Sequence, residues 1–297
     1  MNRLRPFTLH QPTSIGEAVQ LLAAEGGAAR LLAGGTDLLV DMKLGTVRPP
    51  TIVNLKRIRG LDRIEPVDGG TRIGALARIC AIESSELIRE RYPALWQASR
   101  SLGTRPIRNL ATIGGNLGRS SPASDMAPPL IVHGAQIQVE GPAGTRSVPV
   151  EDFYLRPGVS CLATGEIVTS VLLPDPSPGT GSAFRKLGKR GGGWDIALVG
   201  VSAGIVLGGA GDVADARIAL SSVAPTPLRA RAAEARLRGR PPSQENLAEA
   251  AHLAAEETRP ITDVRASASY RRTLARVLAL RTLRDAVSLA QQGSPLR

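Results

Sequence analysis

The sequence predicts an α+β protein of two domains, and three features carry that reading. Strand-like and helical runs are segregated along the chain rather than alternating as βαβ units. At 297 residues the chain exceeds one typical domain. The stretch Leu173-Pro174-Asp175-Pro176-Ser177-Pro178-Gly179 is a linker by composition, which divides the chain into 1–176 and 177–297.

Each element follows from local pattern. Ser14-Ile15-Gly16-Glu17 reads as a capping box; Ile15, Ala18, Val19 and Leu22 then share a helical face, and Gly26-Gly27 ends the helix. A strand over 30–33 runs into Gly34-Gly35-Thr36-Asp37, and Leu38, Leu39 and Met42 mark a brief helix. Pro49-Pro50 precedes a strand over 51–55. A hairpin of 64–67 and 71–76 turns on Asp68-Gly69-Gly70, and helical text follows over 79–91 and 94–102. Residues 103–130 are crowded with Gly, Ser, Asn and Pro, and a second hairpin spans 135–140 and 146–150. Past the linker come strands over 182–187, 196–207 and 216–223. Helices follow over 227–257, broken at Pro241-Pro242, and over 269–292. Ser267 or Ser269 would cap the last helix, whose Tyr270, Leu274, Val277 and Leu278 would pack on a three-stranded sheet.

Composition excludes several function classes. A hydrophobic share of 42% supplies a core, and 21% charged residues argue against disorder. The net charge of +11 attracts polyanions in general. However, the arginines are interleaved with Leu and Ala as on helical surfaces, and aromatics make up only 3%, so no nucleic-acid platform is expected. Cys80 and Cys161 are too few to ligate an iron–sulfur cluster, which takes four thiolates, and too isolated for a disulfide framework. His10, His133 and His252 lack metal-ligand spacing. Neither a signal peptide nor a bilayer-spanning apolar run is visible, so a cytoplasmic protein is expected.

Two glycine loops hold the chemistry. In Leu31-Leu32-Ala33-Gly34-Gly35-Thr36-Asp37-Leu38 a strand ends in paired glycines, where consecutive N–H groups without a Cβ suit a phosphate or pyrophosphate. The pattern is neither GxGxxG nor GxxxxGK[ST], so the Rossmann and P-loop readings fall away. A second pair lies in Thr112-Ile113-Gly114-Gly115-Asn116-Leu117, followed by Ser120-Ser121-Pro122-Ala123-Ser124-Asp125. There the proline and Asp125 look like a helix entry. Ordinary turns explain either loop alone; two in one domain fit a dinucleotide clasped from both sides.

In order and spacing these loops, with Phe184-Arg185-Lys186, Asp195-Ile196-Ala197, Ala224-Pro225-Thr226-Pro227 and 263–271, resemble the FAD-binding (medium) subunit of the xanthine dehydrogenase and carbon monoxide dehydrogenase family of molybdenum hydroxylases. The resemblance covers about residues 3–290. It implies a two-subdomain FAD-binding domain of the PCMH/vanillyl-alcohol-oxidase type, about 1–55 and 56–176, followed by a smaller α+β domain with a three-stranded antiparallel sheet. It also implies site residues. Leu31, Leu32, Ala33, Gly34, Gly35, Thr36, Asp37 and Leu38 would wrap the pyrophosphate, and Thr112, Ile113, Gly114, Gly115 and Asn116 would supply a second clasp. Asp125 would bond the polar part of the dinucleotide, Leu102 would pack on the cofactor, and Val168 would line the adenine or ribose side. Arg185 or Lys186 would lie near the flavin, with Ile196 beside the ring; Trp194 is read as core. Lys186, Lys189 and Arg190 are candidates for a positive field that stabilises reduced flavin.

The family implies electron transfer rather than acid–base catalysis. Partner subunits, one small with two [2Fe–2S] clusters and one large with molybdopterin, would pass electrons to this FAD and on to NAD+, a quinone or dioxygen, in a dimer of heterotrimers. No catalytic triad or carboxylate pair stands out. Residues 119–125 and 127–152 lack the cysteine-rich insertion of relatives that reduce aromatic acyl-CoA thioesters. A self-sufficient flavin oxidoreductase and a non-enzymatic basic nucleotide-binding protein are the alternatives.

Overall fold

The computed structural model describes residues 4–190 and 194–293; the extreme N-terminal residues read above lie outside it. The chain builds three sheets in succession. Thr8–His10, Thr51–Asn54 and Arg30–Leu32 form a parallel sheet with Thr51–Asn54 at its centre. Helix Ile15–Ala24 buries Ala18, Val19 and Leu22 into the same small core as Val53 and Leu55. Ser14 Oγ accepts from Glu17 N at 3.2 Å, while the Glu17 carboxylate reaches Thr13 N at 2.8 Å, so the box closes one residue early.

The second sheet is antiparallel and five-stranded, in the order Ile64–Val67, Gly70–Gly74, Ile167–Pro174, Gln136–Gly141, Gly144–Pro149. Helices Pro93–Ser101 and Ala127–Val132 share its core with Ile73, Ile137 and Val171. The helical run expected over 79–91 is broken at Ser85, where extended backbone ends Ile79–Ser84. The Ser85 hydroxyl then caps Glu86–Arg91 by accepting from Ile88 N.

The third sheet has the expected three long antiparallel strands, Thr180–Gly188, Ala197–Leu207 and Val213–Ser221. A two-residue strand, Leu228–Arg229, is added where the pattern predicted helix. Helices Arg231–Leu237, Gln244–Glu256 and Ala268–Gln291 cover one face with Val199, Val201 and Leu220; Ser267 caps the last of them through Tyr270 N. Leu274 and Leu278 are buried as expected, but Tyr270 is half exposed. The opposite face carries Ser182, Phe184 and Lys186 toward the second sheet's helices: Ser182 Oγ meets Ala94 N at 3.2 Å, and Phe184 belongs to the second sheet's core. Strand alternation therefore makes this sheet a wall shared by two cores.

Candidate functional site

The first glycine loop joins strand Arg30–Leu32 to helix Leu38–Leu44. Gly35 adopts φ +78°, a left-handed conformation that glycine enters without a Cβ penalty. A Cβ on Gly34 would collide with the Leu110 carbonyl oxygen, so this loop lies directly on the backbone leading into the second. Among the described residues, no protein acceptor meets the N–H groups of Gly34, Gly35, Thr36 or Asp37. Consecutive free amides of this kind form an anion-binding concavity. Asp37 makes no capping hydrogen bond and lies 3.8 Å from Arg119 Nε, whose Nη1 also bonds Asp41 at 2.5 Å. That arginine ties the helices following the two loops together.

The second loop is built differently from expectation. Ile113 N donates to Ala77 O, Gly114 N to Ala75 O, Gly115 N to Thr112 Oγ1 and Asn116 N to Thr112 O, at 2.9–3.1 Å. These amides already have acceptors within the protein, unlike those of the first loop. Gly114 is instead required by packing, because a Cβ there would sit 2.7 Å from Ala75 O and 2.8 Å from Ala75 Cβ. Side chains are what this segment presents. Asn116 Oδ1 accepts from Ser124 Oγ at 2.6 Å, which orients the amide.

Asp125 does not belong to a helix cap. Ser124 Oγ takes that role at Ala127 N, 3.1 Å away. The Asp125 carboxylate is instead buried against Lys186, with Oδ2 to Nζ at 2.6 Å; Nζ also donates to Ser101 O at 2.7 Å. Oδ1 of Asp125 is buried and has no partner among the described residues. Burial pushes the Asp125 carboxyl up to about 6, against the opposing pull of the Lys186 ammonium. Leu102 follows Ser101 and is buried in the same core, as is Val168.

Arg185 and Lys186 separate cleanly. Arg185 lies on the other face of its strand, paired with Asp285 of the last helix, so only Lys186 reaches Asp125. Lys189 donates to Val264 O and Arg190 is held by Asp195, which commits both to local partners. Trp194, read as core, is 63% exposed, and Ile196 is 56% exposed beside it. The sequence offered no apolar periodicity around Trp194 that would have distinguished the two outcomes.

Free amides in the first loop and an orphaned buried carboxylate oxygen are what a dinucleotide with pyrophosphate and hydroxyl donors requires, so the residues present fit FAD.

Comparison with known proteins agrees along the whole chain. Residues 5–176 match the FAD binding domain in molybdopterin dehydrogenase, and residues 182–286 match the CO dehydrogenase flavoprotein C-terminal domain. The carbon monoxide dehydrogenase medium chain of Hydrogenophaga pseudoflava is 34% identical over 94% of this chain and 96% of its own length. The xanthine dehydrogenase FAD-binding subunit of Escherichia coli O157:H7 is 31% identical over 95% of this chain and 96% of its own. Among solved structures, carbon monoxide dehydrogenase from H. pseudoflava superposes with a TM-score of 0.93 at 35% identity, covering 97% of this chain and 99% of that one. Quinoline 2-oxidoreductase from Pseudomonas putida 86 superposes at 0.90 with 28% identity and the same coverages. The chain therefore belongs to the FAD-binding medium-subunit family of the carbon monoxide and xanthine dehydrogenases, as the flavoprotein component of an oxidoreductase.

Proposed function

We propose that this chain seats FAD with its pyrophosphate on the amides of 34–37 and its more buried polar part against Asp125. It would act within a complex with a small iron–sulfur subunit and a large molybdopterin subunit, assembled as a dimer of heterotrimers. FAD, when bound, supplies the redox step, collecting electrons from partner [2Fe–2S] clusters and delivering them to NAD+, a quinone or dioxygen.

The chain's own residues position and tune. The first loop neutralises phosphate charge with backbone dipoles, and Leu31 to Leu38 contribute the surrounding wall. Thr112 holds the second loop in shape through Gly115 N, and Asn116, fixed by Ser124, offers its amide group to the ligand. Lys186 keeps a positive charge buried beside Asp125 and favours the anionic form of whatever lies against it. Leu102 and Val168, both buried, limit water access, and Ile196 stands exposed just before strand Ala197–Leu207. Match to medium chains over nearly their full length supports the multi-subunit setting. No helix among the described residues is long and apolar enough to cross a membrane.

The run of four free amides carries the reading. An absorbance spectrum of the purified protein, then heat release and identification of the flavin, tests it. About one FAD per chain is the expected result. No flavin after incubation with excess FAD and co-expressed neighbouring subunits would overturn it.

A further inference from the structure

We propose that a cleft beside the first glycine loop is a separate binding site for a phosphorylated nucleotide. The cleft has a volume of about 600 Å³, within the range of small-molecule sites. Lys56, Arg57, Arg59, Arg63 and Arg78 line it, and Asp62 is the single carboxylate there. Among the described residues, none of these five cationic side chains has an ion pair or a hydrogen bond. Arg72, Arg108 and Arg229, by contrast, are each held by a glutamate. Crowded, unneutralised cations in a recess concentrate the local potential and draw in an anion of more than one charge.

The remaining lining narrows the class. Ile58 and Leu76, both largely buried, give the recess an apolar patch suited to the face of a base. Asp62 supplies an acceptor for ribose hydroxyls or a ring amino group. A single small carboxylate ligand would leave most of the cationic charge uncompensated, whereas two phosphates would not. Arginine recognises them through its planar fork of donors.

The cleft is set apart from the proposed cofactor seat by most of its lining. Asn116, Asp125, Lys186 and Leu102 do not line it, although Ala33, Gly34 and Thr112 border both. The cleft reaches these residues from the hinge segment between the first and second sheets, where Arg57 and Arg59 lie in the connection that follows strand Thr51–Asn54. The inference therefore does not rest on the FAD reading.

Calorimetric titration of ADP into the full chain, both flavin-free and FAD-loaded, tests it. Saturable binding of one ADP per chain is expected in the FAD-loaded form, with binding by adenosine at least about tenfold weaker; the flavin-free form, whose first glycine loop is also open to a diphosphate, should take a second ADP. The double variant Arg59→Glu/Arg78→Glu is expected to weaken ADP by about tenfold or more while flavin content stays unchanged. Both side chains are exposed, so the fold tolerates the change, and an unchanged melting transition checks that directly. Absence of saturable ADP binding to the FAD-loaded chain overturns the proposal, as does equal affinity of the FAD-loaded double variant. ADP binding that appears only when FAD is removed also overturns it, because the cleft would then be part of the cofactor's own seat.

Discussion

After Leu32 the chain turns through Gly34-Gly35 with four amide N–H groups unclaimed by protein among the described residues. After Ala111 it turns through Gly114-Gly115 with every amide from Ile113 to Asn116 engaged. The dipeptide is the same and its physical reason is not. At Gly35 glycine permits a left-handed backbone that aims donors outward; at Gly114 it permits the strand end at Ala75 to press against a helix start. Paired glycines announce close approach of something, and only the fate of the neighbouring amides tells whether that something is a ligand or the protein itself.

Substitutions sharpen this contrast. The largest effect is expected for Gly35→Asp, which places a carboxylate among the free amides. Flavin affinity should fall on the order of a hundredfold, the scale of lost charge-assisted hydrogen bonds. Flavin content is the readout, alongside a melting transition lowered by the strain of a left-handed non-glycine residue, about 1–3 kcal/mol; retained flavin would remove the pyrophosphate from this loop. Gly114→Ala should act oppositely. It forces a methyl group onto Ala75 and should destabilise the fold by about 1–3 kcal/mol. Urea denaturation reads this, with the folded fraction still binding flavin. If Gly114→Ala strips flavin without lowering stability, the second loop is a clasp after all.

Asp125 gives a pH signature. Its carboxyl sits at about 6 in the flavin-free chain, above its ordinary value, because burial disfavours the charge. Its contribution to stability is therefore present at low pH and lost as pH rises through about 6. A ligand that donates to Oδ1 stabilises the charged form and must displace a proton below that pH. Flavin affinity should then weaken as pH falls from 7 to 5, by at most about tenfold per unit, and Asp125→Asn should flatten the profile. A pH-independent wild type would place the ligand elsewhere. The smallest effect is expected for Arg119→Ala, which cuts the tie between the two loops' helices. Its partly exposed ion pair is worth roughly 0.2–1 kcal/mol, read as a small midpoint shift with flavin content preserved.

Much of the fold was legible because local signals agreed. Ser14 and Ser267 each precede a helix that their hydroxyls cap, and Asp68-Gly69-Gly70 turns the hairpin it predicts. Failures occurred where tertiary partners decide. Ser85 interrupts a helical run because its hydroxyl offers the chain a new start, and Leu228–Arg229 becomes strand because Val213–Ser221 has a free edge beside it. At the candidate site, the glycine loops could be singled out from residue type and resemblance, and Lys186 only as one of the pair Arg185 and Lys186. That the second loop's amides bond internally was not legible, since Ala75 and Ala77 are distant in sequence. Nor was the basic cleft, whose Arg59 and Arg78 stand on either side of a hairpin.

The Asp125–Lys186 pair bridges two regions that match separate family descriptions, 5–176 and 182–286. A fragment ending at 176 would keep both glycine loops and lose the Lys186 ammonium that faces Asp125. Exchanging either half with that of a relative would likewise preserve each motif while risking a mismatch of charge at the seam. The two halves are thus bound to evolve as a set, and chimeras that respect motif boundaries but not this contact should lose their colour before they lose their shape.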